Sequence, residues 1–220
     1  MGVAMKLFIV VVFVFLVGLI SNGSWSDVPA LVELQSQASV KYRINPAKST
    51  FMVHANRTGL AWFRGHSHRI AVRDFSGEAS ITPDVVNPAS LQMTVRAASL
   101  EETDPAFTQQ QKGIINKELN EIVLETAKHP EISFQSTGVK GGINNGKIEV
   151  LITGNLNLHG VTKPIEIPAT VTLEGNNLRA MGEFDIDRDD FNVEATSAFH
   201  GLVRAKNNIK FVFDIIAEKI

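Results

Sequence analysis

The chain has 220 residues, a formal net charge of −2, six histidines and no cysteine. Its 44% of apolar and 20% of charged residues are typical of a globular protein and exclude an intrinsically disordered or collagen-like chain. The near-neutral charge argues against a nucleic-acid partner, which would require a basic face. Because the chain has no thiol, it cannot form disulfides, use a thiolate in catalysis or bind zinc through cysteine.

An uninterrupted run of 14 apolar residues, 7–20, follows Lys6. It is shorter than the roughly 20 residues that span a bilayer but has the length of a signal-peptide core. Ser24-Trp25-Ser26 then has the small-x-small pattern of a cleavage site. We therefore expect a signal peptide over 1–26, a flexible lead-in over 27–39, and a periplasmic or secreted product with no stable membrane span. An uncleaved anchor is the alternative.

From residue 40 to residue 220, apolar and polar residues alternate in about eight runs separated by turn signals. This alternation is typical of a sheet with one buried face. Closing such a sheet removes its exposed edges. The sequence therefore predicts one all-β domain over 40–220, an eight-stranded antiparallel β-barrel with one or two short helices. A two-sheet sandwich is the alternative.

Two segments depart from the alternation. Between residues 108 and 128, Ile115, Leu119, Ile122 and Thr126 recur at the spacing of a helix, which His129-Pro130 would end. A second short helix is predicted over 59–63.

The inward-facing positions of an eight-stranded barrel can surround one small ligand. We expect an apolar lining made of Phe51, Val53, Leu91, Met93, Val95, Phe134, Val150, Ile152, Leu156, Phe184, Phe211 and Phe213.

Gly65-His66-Ser67-His68 is the stretch with the most suggestive chemistry. In an extended segment His66 and His68 lie on the same face and could form half of a metal site, with His54 or His200 as a third ligand. The simpler interpretation is that these histidines, with Arg69, lie at the barrel rim and contact the polar end of a ligand. No cofactor and no resident metal are predicted.

Three other patterns have simple structural explanations. Residues 141–147 have the spacing of a phosphate loop, but a strand follows them instead of a helix, so we predict a hairpin turn. Residues 185–189 match the start of a calcium loop but lack its later glycine and glutamate, so we predict a solvent-exposed strand edge there. His159 is predicted in a hairpin turn with a backbone hydrogen bond, and His129 at a helix end. No catalytic pair of carboxylates stands out.

Five segments together resemble motifs of the YceI-like family. They are Tyr42-Arg-Ile-Asn-Pro-Ala-Lys-Ser49, Phe75-Ser-Gly-Glu-Ala-Ser-Ile81, His129-Pro-Glu-Ile-Ser-Phe134, Leu158-His-Gly-Val-Thr-Lys-Pro164 and Phe184-Asp-Ile-Asp-Arg-Asp-Asp-Phe191. The resemblance implies an exported, lipocalin-like barrel, some members of which carry a polyisoprenoid, and no defined catalytic residues. The 65–68 loop and the 108–128 helix, which lacks the usual Arg-Asp-x-x-Leu start, depart from the family pattern.

The predicted function is that of an exported, non-enzymatic protein that carries or stores a long apolar lipid, polyisoprenoid or quinone-like. One alternative is a metal-binding or catalytic protein that uses the His66/His68 loop. Another is a ligand-free envelope stress protein. A homodimer through an outer face of the barrel also stays open.

Overall fold

The computed structural model describes residues 38–58, 67–82, 85–145, 147–194 and 204–220. The expected signal peptide, the short helix over 59–63, and His66 and His200 lie outside these ranges. Among the described residues, no helix is long and apolar enough to cross a membrane.

The described residues are mostly β-strand. In chain order the strands are β1 (Val40–Ile44), β2 (Thr50–Thr58), β3 (His68–Val72), β4 (Phe75–Thr82), β5 (Val85–Arg96), β6 (Leu100–Glu102), β7 (Glu131–Asn144), β8 (Lys147–Leu158), β9 (Val161–Glu174), β10 (Asn177–Asp187) and β11 (Arg204–Lys219). Helix α1 (Gln109–Glu118) continues into a π-helical turn, Leu119–Val123. Single 3-10 turns occupy Pro46–Lys48, Ala97–Ser99 and Arg188–Phe191.

These segments form eight barrel strands, because three of the strands are interrupted. The two halves of the first barrel strand are β1 and β2, those of the second are β3 and β4, and those of the third are β5 and β6. The first and second barrel strands are hydrogen-bonded through the pairs β1–β4 and β2–β3. The second and third are hydrogen-bonded through the pairs β4–β5 and β3–β6. The order continues antiparallel from β5 through β7, β8, β9 and β10 to β11. β11 then pairs with both β1 and β2. The predicted closed eight-stranded barrel is confirmed, and the sandwich alternative is wrong.

The strand alternation places one face of each strand in the core, as the sequence pattern predicted. In β8, for example, Ile148, Val150 and Ile152 are buried, whereas Glu149 is exposed. The strand directions give the barrel two different ends. The end that carries α1 and the β8–β9 turn is called the helix end below. The other, which carries the β7–β8 and β9–β10 turns, is called the turn end. The phosphate-loop pattern over 141–147 falls in the β7–β8 hairpin, where Asn145 has a positive φ of 49°, so that prediction is confirmed.

The helical segment begins where expected and ends earlier. Thr108 and Gln111 form a reciprocal capping box, in which each side chain accepts a hydrogen bond from the backbone of the other. The α-helix ends at Glu118, and the π-helical turn after it changes the angular spacing of the side chains. Ile122, expected on the buried face, is therefore 55% exposed, and Leu124 is buried instead.

Candidate ligand cavity and histidine clusters

The barrel surrounds a cavity of about 710 Å³. Small-molecule sites in proteins commonly measure about 300–1,000 Å³. All twelve residues predicted as an apolar lining lie on its wall. Their placement follows from the strand parity, because alternate residues of a strand face the same side. Their contact with a ligand stays a prediction.

Phenylalanines form one wall of the cavity. Phe184 and Phe211 lie directly opposite each other on β10 and β11, and their rings stack at a centroid distance of 4.8 Å and an angle of 7°. Phe211 is 6.1 Å from Phe51, and Phe51 meets Phe75 edge-on at 6.0 Å. The pairing of β10, β11 and β2 thus brings Phe184, Phe211 and Phe51 together on the cavity wall, whereas Phe75 packs against Phe51 without lining the cavity.

The helical segment contributes a further part of the wall, which the sequence analysis did not assign to the lining. Ile115, Leu119, Val123 and Leu124 all reach the cavity from this segment. The apolar spacing within the helix was the signal that could have identified two of them. The segment therefore covers the helix end of the cavity with apolar side chains.

His68 lies on the cavity wall at the helix end, and its ring is hydrogen-bonded to a buried carboxylate. Its Nδ1 is 2.7 Å from Oε2 of Glu102, and its ring stacks on Phe107 at 5.3 Å. The other oxygen of Glu102 accepts hydrogen bonds from the backbone N–H groups of Arg69 and Asp104 at 3.2 and 2.8 Å. The side chain of Glu102 is fully buried, so this contact fixes the orientation of the imidazole.

The structure does not bring Arg69 or His54 to His68. Arg69 is 59% exposed and lies 3.4 Å from the carboxylate of Asp104, because it has the opposite strand parity to its neighbour His68. His54 is paired in register with Arg69 and so lies on the same outer side. The prediction that Arg69 shares the rim contact, and the suggestion of His54 as a third metal ligand, are therefore not supported by the geometry.

Arg188 is a charged cavity residue that the sequence analysis missed. It lies on the cavity wall with its side chain 13% exposed, and its two terminal nitrogens donate to the carbonyl of Val193 at 2.9 Å and to Asn207 Oδ1 at 3.0 Å. Its Nε is buried and has no hydrogen-bond partner among the described residues. The available signal was its position inside the Phe184–Phe191 segment, which resembles a motif of the YceI-like family. The helix end thus offers both an imidazole and a guanidinium to a ligand.

His129, which was predicted at a helix end, and His159, which was predicted in a hairpin turn, lie side by side. Their ring centroids are 4.3 Å apart, and Nε2 of His159 lies 3.2 Å from Oε2 of Glu125. The ammonium of Lys128 hydrogen-bonds the other oxygen of Glu125 and, with His159, holds the pKa of that carboxyl below its usual value. These residues do not line the cavity.

Comparison with related sequences agrees with the barrel fold described above. The family model for the YceI-like domain matches residues 42–217. A UPF0312 protein from Azotobacter vinelandii is 34% identical over 119 residues, which are 54% of each chain. One from Photorhabdus laumondii is 31% identical over 151 residues, 67% of this chain and 69% of the relative. The match thus spans from about half to about two-thirds of these curated relatives' length.

Solved structures with the same fold are more distant in sequence. BcnA of Burkholderia cenocepacia superposes with a TM-score of 0.63 at 20% identity, over 79% of this chain and 98% of that one. A polyisoprenoid binding domain from Saccharophagus degradans gives 0.60 at 14% identity, over 82% and 99%. The Campylobacter jejuni YCEI protein gives 0.54 at 18% identity, over 69% and 84%. The match to the family model extends from β1 to β11 and so covers most of the barrel. The chain therefore belongs to the YceI-like family.

Proposed function

We propose that this protein is exported and binds one long apolar lipid, of the polyisoprenoid or quinone type, inside its barrel without transforming it. The observation that carries the proposal is the cavity of about 710 Å³, whose wall is built almost entirely from aliphatic and aromatic side chains. Each methylene group that leaves water for such a wall contributes about 0.8 kcal/mol. A hydrocarbon chain can therefore bind there without many polar contacts.

The distribution of charge sets the orientation of the lipid. His68, Glu118 and Arg188 are the charged or ionisable groups among the cavity residues, and all three belong to the helix end. Toward the turn end the wall contains apolar residues such as Ile44, Leu178 and Ala217, together with Ser80 and Ser90 but no charged residue. The polar end of the lipid therefore lies near His68 and Arg188, and its tail extends toward the turn end.

Two further supports are the fold and its neighbours. Membership of the YceI-like family is consistent with a binding protein. The structure from Saccharophagus degradans, which shares the fold, is described as a polyisoprenoid binding domain. Export rests on the apolar run over 7–20 and the pattern at Ser24-Trp25-Ser26.

The first experiment is native mass spectrometry of the protein purified from the envelope of its own host, followed by solvent extraction. We expect one isoprenoid-like molecule per chain and a mature N-terminus at Asp27. A full-length chain confined to the cytoplasm would contradict export. A protein that is empty after purification, and whose thermal midpoint ignores added long-chain polyprenol, would contradict the carrier proposal, because a ligand of the native state must raise its stability.

Two substitutions at neighbouring positions of β11 distinguish damage to the cavity lining from a general effect on folding. Phe211→Asp places a charge against Phe184 inside the cavity, whereas Val212→Asp makes the same kind of change at the next position of β11, which does not line the cavity. Lipid should be lost from the first variant and kept by the second. Ala169→Phe fills the cavity without a charge and serves if Phe211→Asp fails to fold. Wild-type amounts of lipid in folded Phe211→Asp or Ala169→Phe protein would refute the proposed lining.

A further inference from the structure

A second constellation of ligand-forming side chains lies outside the cavity, where the segment after α1 meets the β8–β9 turn. Glu125 and His129 come from that segment, and His159 occupies the turn. One ligating atom from each of the three side chains lies within 4.8 Å of the corresponding atoms of the other two. Two imidazoles and a carboxylate are a donor set that zinc uses when three protein side chains bind it and a fourth position stays open.

The distance between two of these groups is the one that a tetrahedral ion requires. Bonds of about 2.1 Å from zinc to nitrogen or oxygen place two ligand atoms about 3.4 Å apart. His159 Nε2 and Glu125 Oε2 are 3.2 Å apart. Their contact does not have the geometry of a hydrogen bond, and this buried nitrogen has no hydrogen-bond partner in the described part of the chain. Since His159 is 11% exposed, water gives little compensation for the missing partner.

The backbone is shaped to bring these groups together. Four described residues other than glycine have a positive φ, and two of them are asparagines, which adopt this conformation readily. The other two are Glu125, at 43°, and His159, at 52°. The positive φ of His159 and of Gly160 suits the two-residue turn between β8 and β9. The positive φ of Glu125 has no such turn to explain it, and rare backbone conformations tend to collect at functional sites.

The residue after His159 also makes room for the cluster. Gly160 has a φ of +76°, and a Cβ at that position would lie 2.9 Å from Cε1 of the His129 ring. A glycine here therefore allows His129 to approach the turn.

The carboxylate is also oriented by a neighbour. Lys128 donates a hydrogen bond to Oε1 of Glu125, which leaves Oε2 facing His159. Metal-binding carboxylates in proteins are commonly held by such an outer hydrogen bond.

We infer that Glu125, His129 and His159 bind a single divalent transition-metal ion, zinc by their ligand chemistry. The ion fastens the segment after α1 to the β8–β9 turn. Leu124 and Leu158, the chain neighbours of two ligands, line the cavity, so the metal braces the wall at the helix end. This site is distinct from the one considered for the 65–68 loop, and it does not depend on the lipid proposal.

The test is equilibrium dialysis of the metal-stripped full chain against zinc chloride, together with thermal unfolding. We expect one zinc ion per chain and a thermal midpoint that rises with zinc concentration. His159→Asn should weaken zinc binding by at least about 100-fold, since even the loss of an outer-shell partner costs 10–100-fold. Asparagine is the chosen replacement because it tolerates the positive φ at this position. Glu125→Gln is the second variant if His159→Asn does not fold.

His54→Asn is the matched control, because His54 lies on the outer face of β2, and it should bind zinc as the wild type does. Cobalt in place of zinc should give the intense visible absorption of a tetrahedral site. A wild-type chain that binds no zinc at micromolar concentrations would overturn the inference and leave a simple His159–Glu125 ion pair. Binding that survives both His159→Asn and Glu125→Gln, or that is lost in His68→Asn instead, would also overturn it. Zinc binding should be unchanged in Phe211→Asp, so failure of the lipid proposal and failure of this one are distinguishable.

Discussion

Buried Glu102 accepts the hydrogen bonds that hold the rim of the cavity, and replacing it with alanine should destabilise the barrel by about 3 kcal/mol. The change leaves two backbone N–H groups, those of Arg69 and Asp104, without their acceptor and removes the partner of His68. A buried donor without a partner costs about 1–3 kcal/mol. His68 adds less because its side chain is 32% exposed and can reach water.

Glu102→Gln should cost only about 1 kcal/mol. The amide oxygen can still accept from both backbone N–H groups, and the amide nitrogen can donate to Nδ1 of a neutral His68. The loss is then limited to the difference between charge-assisted and neutral hydrogen bonds.

Urea unfolding followed by circular dichroism measures both values. The control is Glu101→Ala, on the neighbouring position of β6, where an exposed ion pair with Arg73 is lost. Its effect should stay within about 0.5 kcal/mol. Equal losses for the alanine and glutamine variants of Glu102, or a loss for Glu102→Ala as small as that of the control, would refute the assignment of Glu102 as the hydrogen-bond acceptor of the rim.

Two further predictions concern the barrel wall. Gly154→Ala should destabilise the protein by about 1–3 kcal/mol, because its Cβ would lie 2.3 Å from the Phe134 ring and overpack the site. Gly142→Ala, which meets no atom within 4 Å, should be close to neutral in the same urea unfolding experiment, and similar losses in both would contradict the packing argument. Arg179 lowers the pKa of Asp214 from its ordinary 3.8. The stabilisation from this pair is therefore complete above that value and lost as the pH falls through the lower folded pKa. The stability difference between wild type and Asp214→Asn should accordingly shrink as the pH falls from about 5 to about 2, and a constant difference would speak against the ion pair.

The strands and the cavity lining could be predicted because both depend on a local rule. Alternate residues of a strand face the same side, so Phe184, Phe211 and Val150 were assigned to the interior without any knowledge of which strands pair. Turn chemistry is equally local, as the positive φ of Asn145 in the β7–β8 hairpin shows. The interruption at Pro46–Lys48 is local too, because Pro46 begins the turn and the side chain of Asn45 accepts a hydrogen bond from the backbone of Ala47. By contrast, no side-chain hydrogen bond caps the turn at Ala97–Ser99, and a single sequence does not display which strands pair on either side of it.

The histidine clusters illustrate the limit of such rules. His68 pairs with Glu102 because β3 lies beside β6, and no spacing in the sequence relates the two residues. His129 and His159 are likewise brought together by the packing of the segment after α1 on the β8–β9 turn. In the helical segment, a π-helical turn exchanges the roles of Ile122 and Leu124, which a fixed period of 3.6 residues cannot anticipate.

The connection between β6 and β7 is attached to the barrel near both of its ends, and this explains how a helical segment can close an apolar cavity. At its start, the carboxylate of Glu102 contacts His68, while its backbone N–H donates to Asn116 Oδ1 of α1 at 2.7 Å. At its end, Glu125 and His129 contact the turn that contains His159. Between these two attachments, Ile115, Leu119 and Val123 face the cavity without polar partners. Because apolar contacts are not directional, the polar clusters at the two ends fix the position of the segment. The apolar residues between them then only have to exclude water.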